Sequence, residues 1–273
     1  GSDAVTAVVE VQGQLTIRKL ATADAGRRLS VQVSWLRTHA SSLPLPEVLT
    51  DDWHGDRFHY DMPYVLAARD FYDVIHTTPI ENSKDVLQSV VEEMAAFHTR
   101  HRAGEASDTV VDEYLERKVR ANVRDVLVFA RGLVESDYTI NGDAYRLSEW
   151  DCLLDMRWLR EQVRSRGTTV VHGDLTIENV IVSPRHEKKW YLIDPNPVNI
   201  FDSPLIDWAK LMQSLNLGYE SMNRGSTAAM VGSDLSLVMA RSNAYAQLHE
   251  HLCNLLCAHV GAQGMQEIAF HEL

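Results

Sequence analysis

Val170-Val171-His172-Gly173-Asp174-Leu175-Thr176-Ile177-Glu178-Asn179-Val180-Ile181-Val182 is followed by a polar turn, Ser183 to Lys189, and then by Trp190-Tyr191-Leu192-Ile193-Asp194-Pro195. Two short apolar runs flank a polar turn, which predicts a β-hairpin. Asp174 stands where the chain leaves an apolar strand, Thr168 to Val171. An amide, Asn179, lies five residues on, and a second carboxylate, Asp194, ends the second arm. Turn chemistry would explain an Asp and an Asn in a hairpin, but it does not require His172 or an Asp194 framed by apolar residues.

A carboxylate that can orient and deprotonate a hydroxyl, beside two hard oxygen donors for Mg²⁺, is the set that phosphoryl transfer needs. His172-Gly173-Asp174, Asn179 and Ile193-Asp194-Pro195, at this spacing, resemble the aminoglycoside phosphotransferase and choline kinase family. The resemblance implies a protein-kinase-like α+β fold of two lobes, a small β-rich N-terminal lobe and a large helical C-terminal one. It implies Asp174 as the base, with His172 holding the catalytic loop. Asn179 and Asp194 would be the Mg²⁺ ligands, and ATP or GTP the co-substrate.

The 273 residues allow one large domain or two modest ones, and 45% apolar content supports a sizeable core. A net charge of -12 argues against nucleic acid and anionic membranes as partners. Three cysteines, Cys152, Cys253 and Cys257, make no disulfide framework and point to a cytoplasmic, reducing setting. No apolar run reaches the ~18 residues of a membrane span. Gly1-Ser2 reads as a protease-cleavage scar, and Phe270 to Leu273 carries no helix-stop signal, as expected of a piece of a longer protein.

Residues 3–65 are expected to form the nucleotide-binding lobe. A hairpin turns at Gln12-Gly13, and in its second strand Ile17 and Lys19 share a face while Arg18 faces away. On the resemblance, Lys19 reaches the phosphates and Ile17 the adenine. Thr22 to His39 reads as a helix with Leu29, Val33 and Leu36 at helical spacing. It lacks the glutamate by which kinases hold the strand lysine, and Gln32 is the residue placed to orient Lys19 instead. Leu43-Pro44-Leu45-Pro46 breaks the helix, and Glu47 to Thr50 and Arg57 to Met62 read as strands. Met62-Pro63-Tyr64-Val65 would be the hinge, with Met62 and Tyr64 at the adenine. No Gly-rich phosphate loop precedes Lys19.

Residues 66–273 are expected to be helical and to carry the catalytic loop and acceptor pocket. Ser83 to His101, Thr109 to Arg131, Ala144 to Ser165, Leu205 to Leu217 and Asp234 to His259 read as helices, with Asn223 to Gly232 a loop over the substrate. His249, Cys253 and Cys257 share a stripe, but i to i+8 spans about 12 Å, too far for one zinc ion. Asp207 follows Asp194 by 13 positions, too few for a kinase peptide platform, so a small-molecule acceptor is expected. Gln213-Ser214-Leu215 and Gly218-Tyr219-Glu220 resemble the bacterial sugar- or capsule-associated subgroup, which favours a sugar-like acceptor, with Asp202 and Glu220 on the substrate side. The alternatives are an aminoglycoside or choline-type amino-alcohol kinase, and a non-catalytic nucleotide-binding pseudokinase.

Overall fold

The structure is a computed structural model that describes residues 4–134, 137–239 and 241–272. In chain order its elements are β1 (Val5–Val11), β2 (Gln14–Thr22), α1 (Ala23–His39), β3 (Thr50–His54), β4 (Arg57–Pro63), β5 (Arg69–Asp70), α2 (Phe71–Thr77), α3 (Ile80–Arg100), β6 (Gly104–Glu105), α4 (Asp108–Tyr114), α5 (Ala121–Leu133), β7 (Asp137–Ile140), β8 (Asp143–Arg146), α6 (Met156–Gln162), β9 (Gly167–Thr168), β10 (Val180–Val182), β11 (Trp190–Leu192), α7 (Pro204–Met212), α8 (Tyr219–Gly225), β12 (Ser226–Val231), β13 (Asp234–Met239) and α9 (Ala244–His271). The chain divides into two compact units, Gly1–His101 with Val170–Asn199, and Arg102–Thr169 with Ile200–Leu273. The class is α+β, with a β-rich N-terminal region and a helical C-terminal region.

In the first unit an antiparallel sheet has the order β1-β2-β4-β3. Gln12 and Gly13 both take positive φ, 52° and 78°, which is what a two-residue hairpin turn asks of its central residues. β2 pairs with β4 so that Ile17 faces Met62 and Lys19 faces Tyr60 across the ladder. Directly opposed residues share a face, so these four lie on one side. Arg18 lies on the other, where its guanidinium meets Asp61 through two 2.7 Å bonds. That pairing holds the Asp61 carboxyl below its usual range. α1 packs on β2 and β4 through Leu29, Val33 and Leu36, all under 5% exposed. α3 buries Leu87, Val90, Val91, Met94 and Phe97 completely, each worth about 1.5–3 kcal/mol of transfer free energy. The expected hairpin forms, with Val180 opposite Leu192, and β5 completes a three-stranded sheet, β11-β10-β5. Trp190 locks it to α3 through its indole N–H, 2.9 Å from Ser89 Oγ.

The second unit departs from the expected helices in two places. Ala144 to Ser165 is not one helix: β7 and β8 form a hairpin, followed by a tight 3₁₀ stretch from Leu147 to Leu154 and then α6. The cause is Asn141-Gly142, both at positive φ, an Asn-Gly hairpin turn. Asp234 to His259 is likewise split. Gly232, at φ 63°, turns the chain so that Ser226–Val231 and Asp234–Met239 pair as a second hairpin, and α9 starts only at Ala244. The expected loop from Asn223 to Gly232 is therefore the end of α8 plus β12. β13 runs parallel to β7, giving a sheet of order β12-β13-β7-β8. Thr109 to Arg131 is helical throughout, α4 passing into α5 through a π-helical turn from Leu115 to Arg120. Val111, Leu115, Val119, Val123 and Leu127 on this rod pack with Leu159, Phe201 and Phe270. α7 is capped by Ser203, whose hydroxyl accepts from Leu205 N at 3.3 Å, and Asp207 is fully buried one turn inside the helix. Among the described residues no helix is long and apolar enough to cross a membrane.

Candidate active site

Asp174, Asn179, Asp194 and Lys19 all belong to the first unit. The strand expected to lead into Asp174 is shorter than read: only Gly167–Thr168 pairs, as β9, and Val170 to Thr176 is irregular backbone held by specific bonds. His172 is completely buried. Its Nε2–H donates to Ile193 O at 3.0 Å, and its own carbonyl accepts from Asn196 N at 2.7 Å. One histidine thus ties the Asp174 arm to both sides of Asp194. Trp35 of α1 stands edge-on to its ring, with centroids 5.9 Å apart.

Gly173 between them has φ 79°, and a Cβ there would run into the Asn196 carbonyl oxygen. Gly173→Ala should therefore cost at least the ~1–2 kcal/mol of an L residue in the left-handed region. The expected result is a melting temperature several degrees lower, with turnover reduced; a thermal melt equal to that of the parent would show that the loop does not need this backbone.

Asn179 ends a short 3₁₀ turn, Ile177–Asn179. Its Nδ2 donates to Asp174 O at 2.7 Å and to Asp174 Oδ2 at 3.1 Å. Anchoring the amide by its nitrogen leaves Oδ1 turned away, with no hydrogen bond to any described residue. Asp194 sits at φ 58°, an uncommon conformation for a residue other than glycine, worth roughly 1–3 kcal/mol of strain. The bonds around it overdetermine that backbone: Ile193 N donates to Asn179 O at 3.0 Å, and Ile193 O accepts from His172.

Lys19, 5% exposed, forms an ion pair with the Asp194 carboxylate. Gln32 lies half-buried on α1 and makes no hydrogen bond to Lys19, so the lysine is held by Asp194 rather than from the helix. Ile17 and Met62 sit one register pair further along the Lys19 face, and Tyr64 lies just beyond β4, 39% exposed. The reading of the chain did not single out Tyr60. It is 1% exposed, opposite Lys19, and its phenol is pushed to higher pKa by burial and then by the Asp194 charge. The signal was present in the alternation of β4, since Tyr60 is two residues from Met62.

A carboxylate and an amide oxygen, with few other ligands, suit Mg²⁺, which is usually held by one or two carboxylates plus phosphate oxygens. Among the described residues no group of three or more His, Cys, Asp or Glu could hold a metal ion. Cys253 Sγ lies 3.6 Å from His249 Nε2, one turn apart on α9.

In the second unit Asp202 is exposed, with its backbone carbonyl accepting from Thr169 N at 3.0 Å. Glu220 is fully enclosed and accepts from Ser214 Oγ at 2.6 Å.

The fold is the kinase-like α+β fold of the aminoglycoside phosphotransferases. The chain is similar to an aminoglycoside-3'-phosphotransferase of type VIII, with TM-score 0.53 and 18% identity over 99% of this chain and 92% of that one. It is similar to a thermostable mutant of aminoglycoside phosphotransferase APH(4)-Ia in a ternary complex with ADP and hygromycin B, with TM-score 0.52 and 15% identity over 98% and 81%. It is also similar to a structure from Haemophilus somnus 129PT described as a fructosamine-3-kinase, with TM-score 0.50 and 11% identity over 93% and 88%. No protein-family model matches the chain, and no curated protein does.

Proposed function

We propose that the chain is a small-molecule kinase that transfers the γ-phosphoryl group of ATP or GTP to a hydroxyl of a sugar-like acceptor. The observation that carries this reading is the Asp174–Asn179–Asp194 constellation: Asn179 is bonded to Asp174 and, through its carbonyl, to Ile193 N beside Asp194, and Asp194 pairs with Lys19. Asp174, half-buried, takes the proton of the acceptor O–H. The acceptor oxygen forms a bond to the γ-phosphorus as the bond to the β–γ bridging oxygen breaks, and the diphosphate leaves with that electron pair. Asn179 Oδ1 and the Asp194 carboxylate would hold a Mg²⁺, which supplies charge neutralisation on the phosphate oxygens. Lys19 would offset phosphate charge once nucleotide competes for it, and His172 fixes the loop without handling the proton. Ile17, Met62 and Tyr64 are assigned to the adenine side and Gln32 to the helix behind Lys19.

On this reading residues 3–65 serve the nucleotide and residues 66–273 carry the loop and the acceptor determinants. Asp202, exposed, is the candidate to touch the acceptor, whereas Glu220 is enclosed and bonded to Ser214. A second acceptor class, an aminoglycoside, is favoured by the net charge of -12, which suits a cationic ligand, and by the hygromycin B held by a structural neighbour. Free cysteines suit a reducing, cytoplasmic setting.

An acceptor screen that follows ADP release in the presence of Mg²⁺, with sugars, amino alcohols, aminoglycosides and casein, separates these classes. The expected result is turnover with a polyhydroxylated small molecule and none with casein. Phosphorylation of casein with every small acceptor silent would overturn the reading.

A further inference from the structure

The face of the β2–β4 ladder that carries Lys19 has an ordered composition. Ile17 opposes Met62, Lys19 opposes Tyr60, and Ala21 opposes Phe58. One polar pair lies between two apolar pairs, and Lys19, Ala21, Phe58, Tyr60 and Met62 are all 5% exposed or less. A buried ammonium is accounted for, because it meets Asp194. The Tyr60 ring beside it is 1% exposed, and its hydroxyl is bonded to no described residue. An unbonded phenol O–H beside a lysine is a donor left open to an anionic ligand.

We infer that Tyr60 is a phosphate-binding residue, its phenol O–H donating to an oxyanion of the nucleotide's polyphosphate chain beside Lys19. The inference rests on the phosphotransfer reading above and deepens it. Three features support the phosphate chain, rather than the base or the acceptor, as the ligand. Tyr60 shares its register position with the lysine, the cationic group of the face. The adenine-side pair, Ile17 and Met62, is two residues away along both strands, about 7 Å at the rise of a β-strand. An ordinary phenol is also protonated at neutral pH, so it is a neutral donor that adds no charge to repel an anion. The role fills a gap in the sequence: no Gly-rich loop precedes Lys19, and a side-chain donor from β4 does part of what backbone N–H groups of such a loop would do.

Tyr60→Phe keeps the ring, the burial and the strand register, and deletes the hydroxyl alone. Calorimetric titration of parent and variant with Mg²⁺ plus AMP-PNP, and separately with adenosine, tests the inference, with a thermal melt of each protein. The expected result is a loss of about tenfold or more in AMP-PNP affinity, as for a hydrogen bond to a charged group, with adenosine affinity unchanged and the melting temperature equal or higher. Equal AMP-PNP affinity would overturn the inference and leave the phosphotransfer reading standing. So would equal losses for both ligands, or a variant that melts early or fails to fold, because the hydroxyl would then be holding the fold. A parent protein that binds no AMP-PNP would overturn the phosphotransfer reading itself, and the role of Tyr60 with it.

Discussion

Asp174→Asn is expected to lower turnover about 10²–10⁴-fold, the usual contribution of a positioned base, while nucleotide affinity stays within about twofold. The separation follows from the local geometry. The Asp174 side chain meets Asn179 through one carboxylate oxygen, and its backbone carbonyl takes the shorter of the two Asn179 bonds. An asparagine retains an oxygen to accept from Asn179 Nδ2, so the loop keeps its form and only the proton acceptor is lost. Steady-state kinetics with the best acceptor, paired with calorimetry on AMP-PNP, reads both quantities. Near-parental turnover by this variant would remove Asp174 from the chemistry.

Asp194→Asn should be comparably severe, about 10³-fold in turnover, but with a different signature: the Mg²⁺-dependent part of nucleotide affinity should disappear as well. Asparagine is the informative substitution because it tolerates the left-handed backbone that Asp194 occupies, whereas most residues would add strain to the loss of charge. The change also leaves Lys19 buried without its anion. Breaking such a pair destabilises through the unpaired charge, so a lower melting temperature in the absence of nucleotide, partly restored by AMP-PNP, is part of the expectation. Calorimetry with and without Mg²⁺ checks it. Unchanged metal-dependent affinity would mean that the Ile193-Asp194-Pro195 turn serves structure alone.

The hairpin that carries Asn179 and Asp194 was legible because its signals are local: two apolar arms, a polar turn, and donors at fixed spacing within about twenty-five residues. The shared face of Ile17 and Lys19 was legible for the same reason, strand alternation. What joined these pieces was not. The Lys19–Asp194 pair spans 175 positions. The Lys19–Tyr60 register depends on how two strands of one sheet align, which periodicity within either strand does not fix. Tyr60 by itself reads as one more core aromatic. Gln32 looked suited to the lysine only because the helix lacked a glutamate; the carboxylate that meets Lys19 comes from the far end of the Val180–Leu192 hairpin. Two hairpins of the second unit were hidden differently. Asn141-Gly142 is a strong turn signal, but its flanking strands, Asp137–Ile140 and Asp143–Arg146, are four residues each and mostly exposed, too short for an alternation to stand out beside the helical runs around them. Leu235 and Leu237 alternate in β13, yet they precede a long helix and were absorbed into its pattern.

The central claim is that this constellation moves a phosphoryl group onto a small-molecule hydroxyl. ³¹P NMR of the parent protein with Mg²⁺, ATP and the leading acceptor of the screen observes that event directly. The account predicts loss of the γ-phosphate resonance, growth of a phosphomonoester signal split by the protons of the acceptor carbon, and an equal amount of ADP, all suppressed in Asp174→Asn. ATP that stays intact with every acceptor class, or ADP accompanied by inorganic phosphate alone, would contradict it.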